Sequence, residues 1–362
     1  MKKKLISLFL ILGVYQSFGG NPDRAGGAGA TQLLVNPYSM SAGMGGINTA
    51  CVKGVEAFHT NIAGLAYTDN TELFISTINY LQGTGINIYT FSGAQSIGNS
   101  GNVIGVTFTK WDFGNINTTT GSQPDNTLGT FTPQYMNIGF AYAKKFSNSI
   151  TAGVTIRYIT EGISNLMASG ISSDYGVQYQ TALNPKNKVK KEDFRFGIAL
   201  RNIGTNMSYQ GSGLAIKSYL NQFSSNQTTS LMGSDAFNLP ALVHIGVSYD
   251  MRLDNGETYN HRLTACGNFN YNAFSSDIFG LGVEYSYMDR FMLRTGFNWQ
   301  QGILTTDTYL TEYYGISGGC TMMIPVSKNG TKLGIDLAYS PTRVFNGIWT
   351  IGLRLLIGNN KS

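Results

Sequence analysis

The sequence predicts an all-β fold: a closed antiparallel transmembrane β-barrel of about fourteen strands, with an N-terminal plug segment in its lumen. Three observations lead to this prediction. Strand-length segments alternate between apolar residues and small or polar residues. Only 12% of the 362 residues are charged, whereas soluble domains average about 25%. The chain also contains 45 glycines and lacks any apolar run of the ~20 residues that a membrane helix needs.

The clearest segment is a pair of strands between Phe279 and Gln300. Aromatic and aliphatic residues fall on one face and small or polar residues on the other, on both sides of a turn at 288–290. A three-residue turn places Glu284 opposite Arg294 on the polar face. We interpret these two residues as an ion pair in the lumen that fixes the strand register, with a ligand contact as the alternative. The competing fold is a secreted β-sandwich, which would bury the apolar face instead.

Residues 1–20 have the features of a secretory signal peptide. Three lysines at 2–4 precede an apolar stretch at 5–14, which is too short to span a bilayer. We expect cleavage after Gly19 and a mature protein in the cell outer membrane, in contact with its lipid. The whole chain has a net charge of +5. Since three of the lysines belong to the signal, the remainder is too weakly basic to indicate a nucleic-acid partner.

Residues 21–67 follow a different pattern, because they are rich in glycine and alanine and lack the two-residue alternation. Small residues allow backbones to pack closely. We predict that this segment is a plug or hatch in the barrel mouth or lumen, and that residues 68–362 form the barrel. A short helix is expected between Glu56 and Leu65, and a strand-like stretch at 47–52. A disordered tail is the alternative.

From Asn70 onward the alternation predicts fourteen strands, most of them close to the ~9–11 residues that a tilted membrane strand needs. Their expected bounds are 71–80, 85–93, 102–111, 132–144, 149–161, 170–181, 193–204, 239–250, 261–271, 279–287, 291–301, 313–324, 332–340 and 347–357. Long connections mostly follow odd-numbered strands, at 112–131, 162–169, 205–238 and 302–312. A barrel with short turns on one side and longer loops on the other requires this alternation.

No catalytic, cofactor-binding or metal-binding residue is predicted, and the protein is not expected to be an enzyme. Histidines and cysteines occur outside any HExxH, GxSxG, phosphate-binding or redox spacing; they are His59, His244, His261, Cys51, Cys266 and Cys320. We interpret the cysteines as buried or lipid-facing thiols. The lysine-rich connection at 182–192 is interpreted as a solvated turn, with docking to an acidic partner or anionic lipid as the alternative.

The N-terminal run LLVNPYSMSAGMGGINTACVKGVEAFHTNIAGLA, at 33–66, resembles the start of the PorV/PorQ family. Gly45 and Gly46 belong to a Met-Gly-Gly-like turn of that pattern. Asn61 and Gly64 bound a close that resembles Asn-Pro-Ala-Gly, with isoleucine in place of proline. Four later stretches resemble the same family: FRFGIALRNIG, LPALVHIGVSYDM, FGLGVEYSYMDRFMLRTGFN and GIDLAYSP. The resemblance therefore covers nearly the whole mature chain.

This resemblance implies a non-enzymatic outer-membrane protein associated with type IX secretion. Its partners would be translocon or surface-attachment proteins and secreted cargo, bound chiefly through the long loops at 112–131 and 205–238. The family is similar in turn to FadL-like transporters, which are fourteen-stranded barrels with an N-terminal plug. The alternative function is therefore a FadL-like channel for long-chain fatty acids or other hydrophobic small molecules. A barrel with a purely structural role is a third possibility.

Overall fold

The computed structural model describes residues 24–98, 100–122, 129–183, 193–219, 227–254, 260–304, 311–327 and 329–358. The predicted signal peptide at 1–20 and most of the lysine-rich connection, at 184–192, lie outside these ranges. Across the described ranges, no helix combines the length and the hydropathy needed to cross a bilayer.

A closed antiparallel barrel accounts for most of the described chain, which confirms the predicted fold class. Its fourteen strands are β1 (Thr71–Tyr80), β2 (Ile86–Ile97), β3 (Asn102–Asp112), β6 (Gln134–Lys145), β7 (Ile150–Ile163), β8 (Leu166–Thr181), β9 (Phe194–Gly204), β12 (Leu242–Arg252), β13 (His261–Asn272), β14 (Ile278–Tyr287), β15 (Phe291–Gln300), β16 (Ile316–Pro325), β17 (Lys332–Ser340) and β18 (Ile348–Ile357). Each strand pairs with its neighbour along the chain, and β1 pairs with β18 to close the barrel.

Large apolar side chains point outward around the barrel, and small or polar ones point inward. Leu281 is 73% exposed and Phe140 65% exposed, whereas Gly282 beside Leu281 is buried. Such an outward apolar surface belongs in lipid, because a soluble protein rarely exposes so large a continuous one. The two-residue alternation thus has the meaning predicted for it, with apolar residues outside and polar residues in the lumen.

The remaining strands form two small hairpins in long connections. β4 (Ile116–Thr118) pairs with β5 (Gly129–Phe131), and β10 (Ala215–Tyr219) pairs with β11 (Gln227–Leu231). The long connection predicted at 162–169 is wrong. β7 and β8 continue pairing as far as Ile163 and Leu166, so a two-residue turn joins them. The polar residues predicted to form a loop therefore mostly extend the β7–β8 hydrogen-bond ladder.

The described part of the N-terminal segment, residues 24–67, contains helix α1 (Ser39–Gly43) and short 3₁₀ helices at Thr31–Leu34, Gly54–Phe58 and Ile62–Tyr67. The single helix predicted between Glu56 and Leu65 is therefore two 3₁₀ turns. The strand-like stretch predicted at 47–52 is wrong. The amides of Cys51 and Val52 both donate to the carbonyl of Asn48 and make it a turn.

This N-terminal segment lies inside the barrel, since it contacts inward-facing residues on strands around the circumference. Helix α1 packs on β15 to β18, and the later 3₁₀ turns pack on β1 to β3 and β6 to β8. Glycines on the strands permit the close approach. A Cβ added at Gly197 would lie 2.5 Å from the carbonyl oxygen of Thr49 and 2.9 Å from the Cα of Ala50.

Candidate ligand-binding site in the barrel lumen

A cavity of about 270 Å³ lies between the N-terminal segment and the loop-side ends of the strands. Apolar residues make up much of its wall: Leu34, Val35, Leu242, Ile278, Ile303, Ile316 and Ile348. Polar residues complete it, among them His59, Arg201, His244, Asn272, Asn298, Gln300 and Tyr313. We call it the loop-side cavity. An apolar enclosure with a few convergent polar groups is typical of small-molecule sites.

Arg201 is the most unusual residue of the loop-side cavity, because it is a buried cation that no carboxylate of the described residues pairs with. It is only 3% exposed, and within the described residues it forms no salt bridge. The neighbouring carboxylate, Asp174, pairs with Arg157 at 2.8 Å and accepts the amide of Asn202 at 2.7 Å. Burying a charge without a salt-bridge partner is costly. The described lining of the cavity therefore lacks a negative charge to balance the Arg201 guanidinium.

Two histidines lie beside this guanidinium. Arg201 Nη2 donates to His59 Nδ1 at 3.2 Å. Burial and the nearby Arg201 charge hold the pKa of His59 well below its ordinary value, so His59 is a neutral acceptor. His244 Nδ1 and Arg201 Nε are both buried and without a hydrogen-bond partner in the described part of the chain. An anionic oxygen placed here would meet a positive charge and a donor that protein groups leave unused.

A second cluster of charges lies at the turn side of the lumen and joins the N-terminal segment to the barrel. Arg354 on β18 contacts Glu56 at 2.5 Å, Glu72 at 3.1 Å and Asp336 at 3.4 Å. Glu56 belongs to the N-terminal segment and also accepts the amides of Met40 and Ser41, at 3.1 and 2.8 Å. One arginine on the wall therefore forms ion pairs with three buried carboxylates.

The structure places Glu284 and Arg294 opposite each other in the β14–β15 ladder, with an ion pair of 2.6 Å. Glu284 also accepts from Arg262 at 3.0 Å, and Arg294 donates to the Thr321 hydroxyl at 2.6 Å. Glu284, Arg294 and Arg262 border a turn-side cavity of about 210 Å³. Because the charges largely compensate one another, the arrangement favours a structural role over a ligand contact.

Replacing Arg294 with methionine is expected to lower the free energy of unfolding by about 1–3 kcal/mol. The effect is moderate because Glu284 keeps Arg262 as a partner, while Thr321 loses a donor. Guanidinium unfolding of the purified barrel in detergent measures the change. An unaltered midpoint and unaltered heat resistance on gels would show that the pair contributes nothing.

The four residues predicted to belong to the plug are Gly45, Gly46, Asn61 and Gly64. They lie in the N-terminal segment and contact the residues around it. The Asn61 side chain donates to the carbonyls of Thr49 and Val177, at 3.0 and 3.1 Å, and accepts the Ala63 amide at 3.1 Å. It thereby starts the last 3₁₀ turn and attaches it to β8.

The glycines serve close packing and turn geometry. Gly64 lies so near the Val52 carbonyl that no Cβ fits between them. Gly45 and Gly46 have φ values of 66° and 75°, which L side chains rarely adopt, and they end helix α1. The Gly45 carbonyl accepts from Asn298 at 2.7 Å, which connects this turn to β15.

Sequence reasoning missed Arg201 and Arg354, although their positions carry a signal. Arg201 and Arg354 each occupy an inward-facing position in the two-residue alternation of their strand, as Arg195 and Gly197 do in β9. A charged residue at an inward position of a membrane strand has to find a partner in the lumen. The alternation alone does not show which of these arginines forms a salt bridge, because the carboxylate partners lie far away along the chain.

No protein-family model matches the chain, and no curated protein sequence matches it. Solved structures do match. The chain is similar to the CymD monoaromatic hydrocarbon channel, with a TM-score of 0.54 and 14% identity, over 89% of this chain and 97% of that one. It is also similar to the toluene transporter TodX of Pseudomonas putida, with a TM-score of 0.54 and 12% identity, over 89% and 97% of the two chains.

The closed ladder, the outward apolar surface and these similarities define the class of protein as an outer-membrane β-barrel. Within this class, the chain has the fold of the hydrocarbon channel and the toluene transporter. At such low identity the likeness shows the fold alone. Membership of the PorV/PorQ family stays a prediction, because none of the comparisons shows it.

Proposed function

We propose that the protein is a non-enzymatic outer-membrane channel for small hydrophobic molecules that carry an anionic group, and that the loop-side cavity binds them. The observation that carries this proposal is the buried Arg201, which forms no salt bridge within the described residues and lies in a largely apolar enclosure. A carboxylate on the ligand would supply the missing partner, and the apolar walls would cover the rest of the molecule. The charge-assisted hydrogen bonds formed are worth about 1.5–3 kcal/mol each.

The size of the loop-side cavity favours a compact ligand over an extended one. A protein cavity of about 150 Å³ is large enough for benzene, and this one has about 270 Å³. A single-ring carboxylate fits such a volume, whereas a long acyl chain would extend beyond it. The names of two structurally similar proteins, a monoaromatic hydrocarbon channel and a toluene transporter, support the same size class.

The barrel wall beside this cavity is irregular, which supports a route through it. The β8–β9 register shifts between Ser173 and Tyr175. Asn202, on the facing strand, has a positive φ of 56° and donates its amide to Asp174. A bulge interrupts the ladder and bends the strand. We propose that ligands leave here toward the membrane while the N-terminal segment closes the direct path along the barrel axis.

The decisive variant is Arg201→Met, tested by calorimetric titration of the detergent-purified barrel with benzoate and with toluene at neutral pH. Loss of the guanidinium is expected to weaken benzoate binding about tenfold or more, while toluene binding changes little. Arg290→Met is the matched control, since Arg290 lies exposed in the 288–290 turn. Equal binding of benzoate by wild type and Arg201→Met, or no binding of either ligand by the wild type, would overturn the proposal.

The resemblance to PorV/PorQ proteins provides a second candidate function, in which the loops bind secretion or attachment proteins. The loop hairpins β4–β5 and β10–β11 favour it, because they offer ordered backbone for recognition outside the barrel. A deletion strain then loses secreted or surface-attached proteins. An unchanged secretome combined with benzoate binding would select the channel over this candidate.

A further inference from the structure

Two of the three cysteines lie next to each other, although 215 positions separate them in the sequence. Cys51 belongs to the N-terminal segment, and Cys266 is on the inward face of β13. Their sulfur atoms are 3.4 Å apart. Cys320 provides an internal contrast, because it is exposed on the outward, lipid-facing side of β16.

Packing holds one cysteine of the pair in place, and a cavity gives access to the other. Cys266 is 5% exposed and packs with Met44 and Ile47 of the N-terminal segment. Cys51 borders the turn-side cavity, beside Arg195. A disulfide requires sulfurs about 2.05 Å apart, so side-chain rotations that move the two atoms about 1.4 Å closer would suffice.

We propose that Cys51 and Cys266 form a disulfide that fastens the N-terminal segment to the barrel wall. Outer-membrane proteins pass through an oxidising compartment, where such bonds form and persist. The inference is independent of the proposed function, since it concerns how the segment is held and not what the lumen binds. With the bond in place, the segment cannot leave the lumen unless a reductant cleaves it.

The reaction balances as thiol–disulfide exchange with a disulfide-bearing oxidant, a protein or small molecule that reaches the turn-side cavity. The Cys51 thiolate attacks one sulfur of that oxidant and releases its other sulfur as a thiolate. The Cys266 thiolate then attacks the Cys51 sulfur and releases the second oxidant sulfur. Two protons leave the protein thiols, and two electrons reduce the oxidant to its dithiol.

Cys51 is suited to the first attack. The hydrogen bond from Cys266, together with the charge of Arg195, lowers the pKa of Cys51 below that of an ordinary thiol despite burial. A larger thiolate fraction speeds exchange.

The test is to block free thiols with N-ethylmaleimide in intact cells, then purify the full-length barrel without reductant. We expect peptide mass spectrometry to find the Cys51 and Cys266 peptides joined, and only Cys320 alkylated. On gels, the unfolded protein should migrate faster without reductant than with it. Cys51→Ser and Cys266→Ser should each abolish this difference, and Cys320→Ser should preserve it.

Separate Cys51 and Cys266 peptides in the wild-type protein, whether alkylated or recovered as free thiols, would overturn the proposal. The same holds for a joined pair that includes Cys320. Because these readouts use the wild-type chain, they stay decisive even if a serine variant does not fold.

Discussion

Replacing Arg354 with methionine is expected to lower the free energy of unfolding by about 3–5 kcal/mol, the largest effect among the substitutions proposed for this barrel. Arg354 is 6% exposed and forms ion pairs with Glu56, Glu72 and Asp336. Removal of a partner from a buried ion pair leaves the remaining charge uncompensated. Here one substitution affects three carboxylates, on the N-terminal segment, β1 and β17.

Guanidinium unfolding in detergent and limited proteolysis measure this effect. The variant should unfold at a lower denaturant concentration, and the N-terminal segment should become sensitive to protease, because Glu56 is its link to Arg354. The variant Arg294→Met is the matched control with the same chemical change and a smaller expected loss. Equal stability of the two variants would contradict a central role for Arg354.

Gly197→Ala is expected to lower the free energy of unfolding by about 1–3 kcal/mol through overpacking, a loss in the same range as that of Arg294→Met. The added methyl group would collide with backbone atoms of Thr49 and Ala50. Backbone cannot move aside as a flexible side chain can, so the N-terminal segment has to shift as a whole. The shift would also stretch the bond from Asn61 to the Thr49 carbonyl.

Gly267→Ala is the control, because it makes the same change on the outward side of β13. Its nearest neighbour would be Val247 at 3.5 Å, an ordinary van der Waals contact. Thermal unfolding in detergent should therefore separate the two alanine variants clearly. Similar melting temperatures would show that the segment does not pack against β9 as described.

The barrel strands could be predicted from sequence because lipid outside and a polar lumen inside impose opposite demands on successive residues. In β14 and β15 this alternation, together with the turn at 288–290, was enough to place Glu284 opposite Arg294. Each pairing there is decided by residues close together in the chain, so local pattern is sufficient.

The interior of the barrel could not be predicted in the same way. The sulfur contact between Cys51 and Cys266, and the ion pair between Glu56 and Arg354, join residues more than 200 positions apart. No periodicity encodes such contacts. The turn at 47–52 is also set by its fit against strand glycines, which overrides local propensity.

The central claim is that the loop-side cavity binds a compact hydrophobic anion against Arg201. Anomalous diffraction from crystals of the barrel grown with a bromobenzoate tests it most directly. We expect a bromine peak among Leu242, Ile278 and Ile316, with the carboxylate density against the Arg201 guanidinium. Bromine found only on the lipid-facing surface or in the turn-side cavity would contradict it.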